Sequence, residues 1–146
     1  MTDTVKFSCQ IDSTDYSVPL QLKIKLNDSV MFDTVHVDRC QTVEFVIAED
    51  REQHTMVFEM SGKNPEHTVV DSNGEIVKDA MLSVTQCKME DILMDQAVQD
   101  NAVYHHDFNG SQSEIQDRFY GNMGCNGTVM LEFSSPMVLW LLEKTQ

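Results

Sequence analysis

Residues 20–26 read Leu20-Gln21-Leu22-Lys23-Ile24-Lys25-Leu26, a strict alternation of aliphatic and polar side chains. Successive side chains of a β-strand point to opposite faces, so this pattern buries the aliphatic residues and leaves the Gln and Lys side chains in water. The polar triplet Asn27-Asp28-Ser29 follows and is typical of a turn. The stretch therefore predicts one strand of a sheet that buries a single face.

Similar short strands recur along the chain. They are predicted at 30–32, 43–47, 55–60, 80–87, 128–133 and, as an apolar strand, at 138–142, whereas 91–97 fits either a helical turn or a short strand. Turn signals such as Asn64-Pro65 and Asn73-Gly74 separate them. Roughly seven or eight strands spaced in this way predict an all-β fold, an antiparallel β-sandwich or jelly roll. We expect its core to contain Leu20, Leu22, Ile24, Phe45, Phe58, Val84, Leu131, Phe133 and Trp140.

Length and composition favour one globular domain over residues 1–146. The chain has 146 residues, of which 41% are hydrophobic, which is enough to build a core. Its longest apolar run is 137–142, far short of the ~20 residues that span a membrane. The first residues lack the basic and apolar regions of a signal peptide. We therefore expect a cytoplasmic protein, unless it leaves the cell in a larger particle, and no membrane partner.

The charge balance argues against nucleic-acid binding. The sequence has 24 acidic and 10 basic residues, a formal net charge of −14. Binding to phosphates requires clustered cations, and the ten basic residues form no such cluster. The acidic surface keeps the chain soluble, or else meets a basic partner or collects divalent cations.

The cysteines indicate neither disulfides nor zinc. Cys9, Cys40, Cys87 and Cys125 are far apart, without the close pairs of a structural zinc site. In a chain without a secretory signal we expect four reduced thiols, most of them in the core.

No motif in the sequence indicates catalysis. Nucleophile elbows, metalloprotease helices and phosphate-binding glycine loops are all absent. His105 and His106 are adjacent, but neighbours on a strand point to opposite faces and are poorly placed to share one metal. We therefore expect a protein that is not an enzyme and needs no zinc or organic cofactor.

Calcium is the one ion for which the sequence offers candidates. The segment 71–75 is rich in oxygen donors but lacks the distal glutamate of an EF-hand, so we interpret it as a β-turn. A second candidate set combines Asp107, Asn109 and Asp117 in the late segment 101–126. Calcium bound there would clamp a long loop of an acidic sandwich.

The same late segment concentrates the aromatic residues Tyr104, Phe108, Phe119 and Tyr120. Exposed rings in loops stack on sugars or anchor protein partners, whereas rings that fold back onto the core act as plugs. Both alternatives stay open from sequence. As candidate anchors for a partner or a sugar we take Tyr104, Phe108 and Tyr120.

Several segments together resemble a group of small, uncharacterised proteins carried by T4-like phages of marine cyanobacteria. The matching stretches are 61–68, 70–79, 104–110, 119–121, 123–128 and 140–143. The resemblance implies a viral source and, as a leading expectation, a virion structural protein that decorates or joins other virion proteins. Such a component would act by protein–protein binding, as a symmetric homo-oligomer, and would reside in the virion.

A weaker resemblance is to β-sandwich carbohydrate-binding modules, including the calcium-dependent ones attached to xylanases. It rests on general architecture and on acidic, aromatic loops, and no module-specific motif matches residue by residue. It implies an alternative function, calcium-assisted binding of a glycan.

Overall fold

The structure, a computed structural model, describes residues 3–106 and 113–144, with the backbone only for Pro65. Its strands are β1 Thr4–Ser13, β2 Gln21–Leu26, β3 Ser29–Thr34, β4 Gln41–Ala48, β5 Gln53–Ser61, β6 Thr68–Val70, β7 Ile76–Asp79, β8 Leu82–Met89, β9 Ile92–Leu93, β10 Val103–His106, β11 Ile115–Arg118, β12 Asn122–Met123 and β13 Gly127–Ser134. The helices are α1 Asp95–Asn101 and α2 Met137–Lys144, and a 3₁₀ turn covers Pro65–His67.

The strands form two antiparallel sheets and one separate hairpin. Sheet A has the order β12-β8-β1-β4, with β9 paired to β8, and sheet B has the order β11-β10-β13-β5-β2-β3. Strands β6 and β7 pair only with each other among the described residues. This arrangement confirms the predicted antiparallel β-sandwich. None of the helices in the described ranges is both long and apolar enough to cross a bilayer.

The core lies between the two sheets and follows from the alternation. In β2, Leu22, Ile24 and Leu26 are buried while the intervening polar residues are not. The predicted core residues are buried except Phe45, which is half-buried and whose ring packs 5.0 Å from that of Phe7. Phe7 lies on β1, a long strand absent from those predicted above, whose inward residues are all buried.

The predicted strand at 138–142 is wrong, because this segment is helix α2. Met137, Trp140 and Leu141 are its buried residues, and their spacing of three and one is helical. An unbroken apolar run has no period that separates a strand from a helix, so the sequence alone did not decide. The ambiguous segment 91–97 contains both alternatives, strand β9 followed by the start of α1.

A buried ion pair attaches the β6–β7 hairpin to the sandwich. The Lys63 side chain is only 2% exposed, and its ammonium pairs with the Asp79 carboxylate and donates to the Gly124 carbonyl at 2.5 Å. The same carboxylate accepts a hydrogen bond from the Thr68 hydroxyl at 2.6 Å. A two-stranded hairpin is marginal by itself, so this contact fixes its base. Asp71 to Gly74 forms the predicted turn at its tip, with Gly74 at a φ of 81°.

Candidate functional site

The outer face of sheet B carries a patch where polar and apolar side chains alternate in rows. Cross-strand register places Val103 opposite Met130, and Met130 opposite Val57. The next row contains Gln116, His105, Thr128 and Glu59, again as register neighbours. On the other side Glu132 lies opposite Thr55. We call these nine residues the outer patch: Thr55, Val57, Glu59, Val103, His105, Gln116, Thr128, Met130 and Glu132.

Surface depressions lie along this patch. One of about 380 Å³ is lined by residues that include His105, Glu114 and Thr128. A second of about 210 Å³ lies beside Val103, Gln116 and Glu132. A third of about 360 Å³ adjoins Thr55 and Val57 at the β2 end of the sheet. The first and third have the size of ordinary small-molecule pockets.

The backbones of β13 and β10 lie unusually close together at the edge of the patch. A Cβ atom added to Gly127 would lie 2.2 Å from the His105 carbonyl oxygen, so only glycine permits the observed approach of β13 to β10. This approach sets the position of His105 over the first depression. The imidazole Nδ1 of His105 lies 3.5 Å from Glu114 Oε1.

The charges of the outer patch are mainly acidic. Glu59 is paired with Lys25 at 3.4 Å, and Glu132 is exposed beside Met130. Lys25 and Arg51 line the depression at the β2 end, and no Lys or Arg lines the two depressions at the β10 end among the described residues. The patch thus offers carboxylates, an imidazole, an amide and hydroxyls around an apolar centre.

The structure corrects the placement of one predicted anchor. Tyr104 lies on strand β10, faces the core and is only 6% exposed. Its hydroxyl donates to the Cys125 carbonyl and accepts from the Cys125 N–H at 2.9 Å, and burial raises its pKa. Phe119 is buried as well, with its ring at 6.5 Å from that of Tyr104. For these two rings the plug alternative describes the structure, because both side chains are buried and the segment predicted as a loop contains strands β10, β11 and β12.

Tyr120 lies on the surface, as its role as an anchor would require. It is 61% exposed, and the guanidinium of Arg118 lies 5.5 Å from the ring centre. Arg118 in turn donates to Asp100 Oδ1 at 2.7 Å, which ties β11 to helix α1. Phe108, the third predicted anchor, lies outside the described residues.

Of the three candidate calcium ligands, only Asp117 lies within the described part of the chain. Asp117 Oδ2 accepts a hydrogen bond from His106 Nε2 at 2.7 Å, on the inner side of β11 and β10. Asp107 and Asn109 lie outside the described residues. Residues 3–106 and 113–144 contain no cluster of three or more His, Cys, Asp or Glu side chains that could hold a metal. The calcium site stays a prediction.

A serine–histidine–asparagine arrangement escaped the sequence analysis because its members are far apart in the chain. His54 is fully buried, with Nε2 at 2.9 Å from Ser135 Oγ and Nδ1 at 3.1 Å from Asn27 Nδ2. Asn27 Oδ1 already accepts the Thr55 N–H at 2.9 Å, so its amide nitrogen must donate to His54 Nδ1. The proton of the neutral imidazole is therefore on Nε2 and points at Ser135. A general base for serine needs the opposite tautomer, so this arrangement is structural.

Two of the four cysteines are core residues, as expected. Cys9 and Cys87 are buried, whereas Cys40 is exposed and Cys125 is half-buried. Burial raises the pKa of Cys9 to about 12 and that of Cys87 well above its usual value. Both core thiols are therefore unreactive at neutral pH.

Comparison with solved structures shows similarity to carbohydrate-binding modules. The structure of vCBM60 in complex with galactobiose aligns with a TM-score of 0.50 and 9% sequence identity, covering 86% of this chain and 96% of that chain. A selenomethionine form of vCBM60, described together with circular permutation as an evolutionary link between two families of calcium-dependent carbohydrate-binding modules, aligns with a TM-score of 0.45 and 7% identity, covering 87% of this chain and 89% of that chain. Neither a protein-family model nor a curated protein matches the sequence. At this identity the likeness shows the fold, a β-sandwich of the kind found in such modules.

Proposed function

We propose that this protein is a non-catalytic carbohydrate-binding module. The observation that carries the proposal is the extent of the structural likeness, since 96% of a module solved with galactobiose is covered by this fold. Fold alone does not name a ligand, so the ligand class must come from the surface.

The outer patch has the chemistry that sugars require. A pyranose ring presents C–H groups on its faces and hydroxyls around its edge. Val103, Met130 and Val57 supply a partly exposed apolar row for the faces. His105, Gln116 and Thr128 supply hydrogen-bonding groups beside that row.

The electrostatics also favour an uncharged, hydroxyl-rich ligand. The net charge of −14 disfavours polyanions, and Arg118, the outward cation at the β11 end, is already paired with Asp100. The hydrogen-bonded tautomer of His54 supports a role without catalysis, because the imidazole cannot accept the proton of Ser135.

Calcium assistance stays part of the proposal through Asp107, Asn109 and Asp117. In the sequence Asp107 and Asn109 follow β10, which carries His105, and Asp117 lies on β11, which carries Gln116. An ion bound between them would fix the edge of the outer patch. A ligand that binds only the folded state raises its stability, so calcium should then raise the melting temperature.

Glycan-array screening followed by titration calorimetry tests the function. Neutral oligosaccharides, galactobiose among them, should bind, and His105→Ala and Gln116→Ala should weaken binding. Thr42→Ala changes an exposed residue on the outer face of sheet A and serves as the matched control. Absence of binding to every glycan, with and without calcium, would refute the proposal.

The virion role implied by the phage resemblance stays a prediction. It concerns where the protein works, and a sugar-binding module can be carried on a particle. Mass spectrometry of purified particles from the source virus tests it, because a structural component must be present there. Absence from the particle would reject the role.

A further inference from the structure

Two buried cysteines lie opposite each other on neighbouring strands of sheet A. Ser8 of β1 lies opposite Lys88 of β8, so continuing this register by one residue places Cys9 opposite Cys87. The register then shifts by one residue, which leaves Gln86 as the extra residue of a β-bulge. Gln86 is exposed and has a φ of 52°, whereas Cys9 and Cys87 are each only 1% exposed. The two thiols therefore share the inner face of the sheet.

The backbone geometry at this pair suits a covalent link between the side chains. The N–H of Cys87 donates to Asp95 Oδ1 at 2.8 Å, and its carbonyl accepts from the Met94 N–H at 2.7 Å, so both groups have partners outside β1. Cys9 and Cys87 thus form a non-hydrogen-bonded pair of the antiparallel ladder, in which Cα atoms lie about 4.5 Å apart. Disulfides span Cα separations of about 4.4–6.8 Å, so the spacing typical of such a pair admits one.

The electrostatics of the two thiols show that they are close together and when they can react. Burial is the main cause that raises the pKa of both thiols, followed for Cys87 by the nearby Cys9 and for both by the Asp95 carboxylate. Both thiols are therefore protonated in the folded protein at neutral pH. Because the thiolate is the attacking species, the sulfurs react while the chain folds, before burial is complete.

We propose that Cys9 and Cys87 form a disulfide when the chain folds in the presence of a small-molecule disulfide such as oxidised glutathione. One cysteine thiolate attacks a sulfur of oxidised glutathione, which forms a mixed disulfide and releases one glutathione thiolate. The other cysteine thiolate attacks the protein sulfur of that mixed disulfide and releases the second glutathione. The cysteine pair loses two electrons and two protons, and oxidised glutathione gains both to become two reduced molecules.

The disulfide would staple the two central strands of sheet A. It would enclose residues 9–87, more than half of the chain, and so restrict the unfolded state of a long segment. In a reducing cytosol both cysteines stay thiols, as expected from the sequence, whereas folding in an oxidising compartment adds the staple. The stability of the sandwich would then depend on the redox state in which the chain folds.

Refolding in a glutathione redox buffer, compared with refolding in a phosphine reductant, tests the proposal. After the remaining thiols are alkylated, trypsin separates the four cysteines into the peptides 7–23, 40–51, 79–88 and 119–144. Mass spectrometry should find peptides 7–23 and 79–88 joined, and only after refolding with oxidised glutathione. Cys40→Ser removes an exposed cysteine and should keep this link, which makes it the matched control.

Urea denaturation then tests the stabilising role on one and the same sequence. The oxidised wild type should unfold at a higher urea concentration than the reduced wild type, and Cys40→Ser should show the same difference. Absence of the joined peptides, whether the cysteines are found alkylated, carrying glutathione or linked in another pair, would overturn the proposal. A Cys9–Cys87 link that leaves the urea midpoint unchanged or lowers it would overturn the staple.

Discussion

The imidazole Nε2 of the buried His54 lies 2.9 Å from the hydroxyl oxygen of the half-buried Ser135. The amide of Asn27 fixes the imidazole from the other side and keeps the proton on Nε2. A pair with the spacing of a serine hydrolase is thereby held in a tautomer that cannot activate the serine.

This tautomer predicts that Ser135 is unreactive. A fluorophosphonate probe, which reports activated serines, should not label the wild-type protein above the level of Ser135→Ala. Intact-protein mass spectrometry provides the measurement. Stoichiometric labelling that disappears in Ser135→Ala would show that the histidine acts as a base after all.

Burial of His54 predicts a loss of stability in mild acid. Desolvation lowers its pKa in the folded state below the unfolded value of about 6.5. The folded protein thus disfavours the charged form, so the contribution is complete above about pH 6.5 and is lost as pH falls through the folded-state pKa. Urea denaturation of the wild type between pH 7.5 and 5 should show this decline.

The variant His54→Gln should reduce that pH dependence, because glutamine does not titrate. His36→Gln changes a histidine whose ring contacts the Tyr16 carbonyl near the surface, and it should keep the wild-type slope. Identical slopes for wild type and His54→Gln would show that His54 is not the titrating group.

The ion pair of Lys63 and Asp79 predicts a large difference between two lysine variants. Lys63→Met leaves a partly buried carboxylate without its cation and should cost about 3 kcal/mol of unfolding free energy. Lys78→Met removes an exposed lysine that lies 2.9 Å from Asp15, and it should cost less than about 1 kcal/mol. Chemical denaturation measures both, and equal costs would contradict the structural role of Lys63.

The two tyrosines of the late segment should behave differently. Tyr104→Phe removes the partner of a backbone carbonyl and a backbone N–H, and should destabilise the fold by about 1–2 kcal/mol. Tyr120→Phe changes an exposed ring and should leave the melting temperature unchanged. A neutral effect of Tyr104→Phe would show that its hydroxyl is dispensable for the core.

Much of the sandwich could be predicted from alternation, as β2 and β5 show, because each buries one face only. Strand β1 shows the same alternation, with Val5, Phe7, Cys9 and Ile11 inward. The sequence therefore contained the signal for this strand, although β1 was not among the predicted strands. Helix α2 could not be predicted, since an all-apolar run has no readable period.

The candidate site was largely hidden from the sequence. Outer-patch residues come from four strands whose order in the sheet is set by long-range pairing, so Val57, Val103 and Met130 become neighbours only in the fold. The predicted anchor Tyr104 lies in a segment whose composition is typical of a surface loop, but its position on the strand points its side chain into the core. Its neighbour His105 points outward, and the sequence indicated for it only a poorly placed metal-binding pair with His106.

Titration of ¹⁵N-labelled protein with a neutral galacto-oligosaccharide tests the central claim most directly. We predict that amide chemical shifts change along the outer patch, at Val57, Val103, His105, Thr128 and Met130. Amides on the outer face of sheet A, such as Ser8 and Thr42, should stay in place. No change with any neutral glycan, or changes confined to sheet A, would contradict the account.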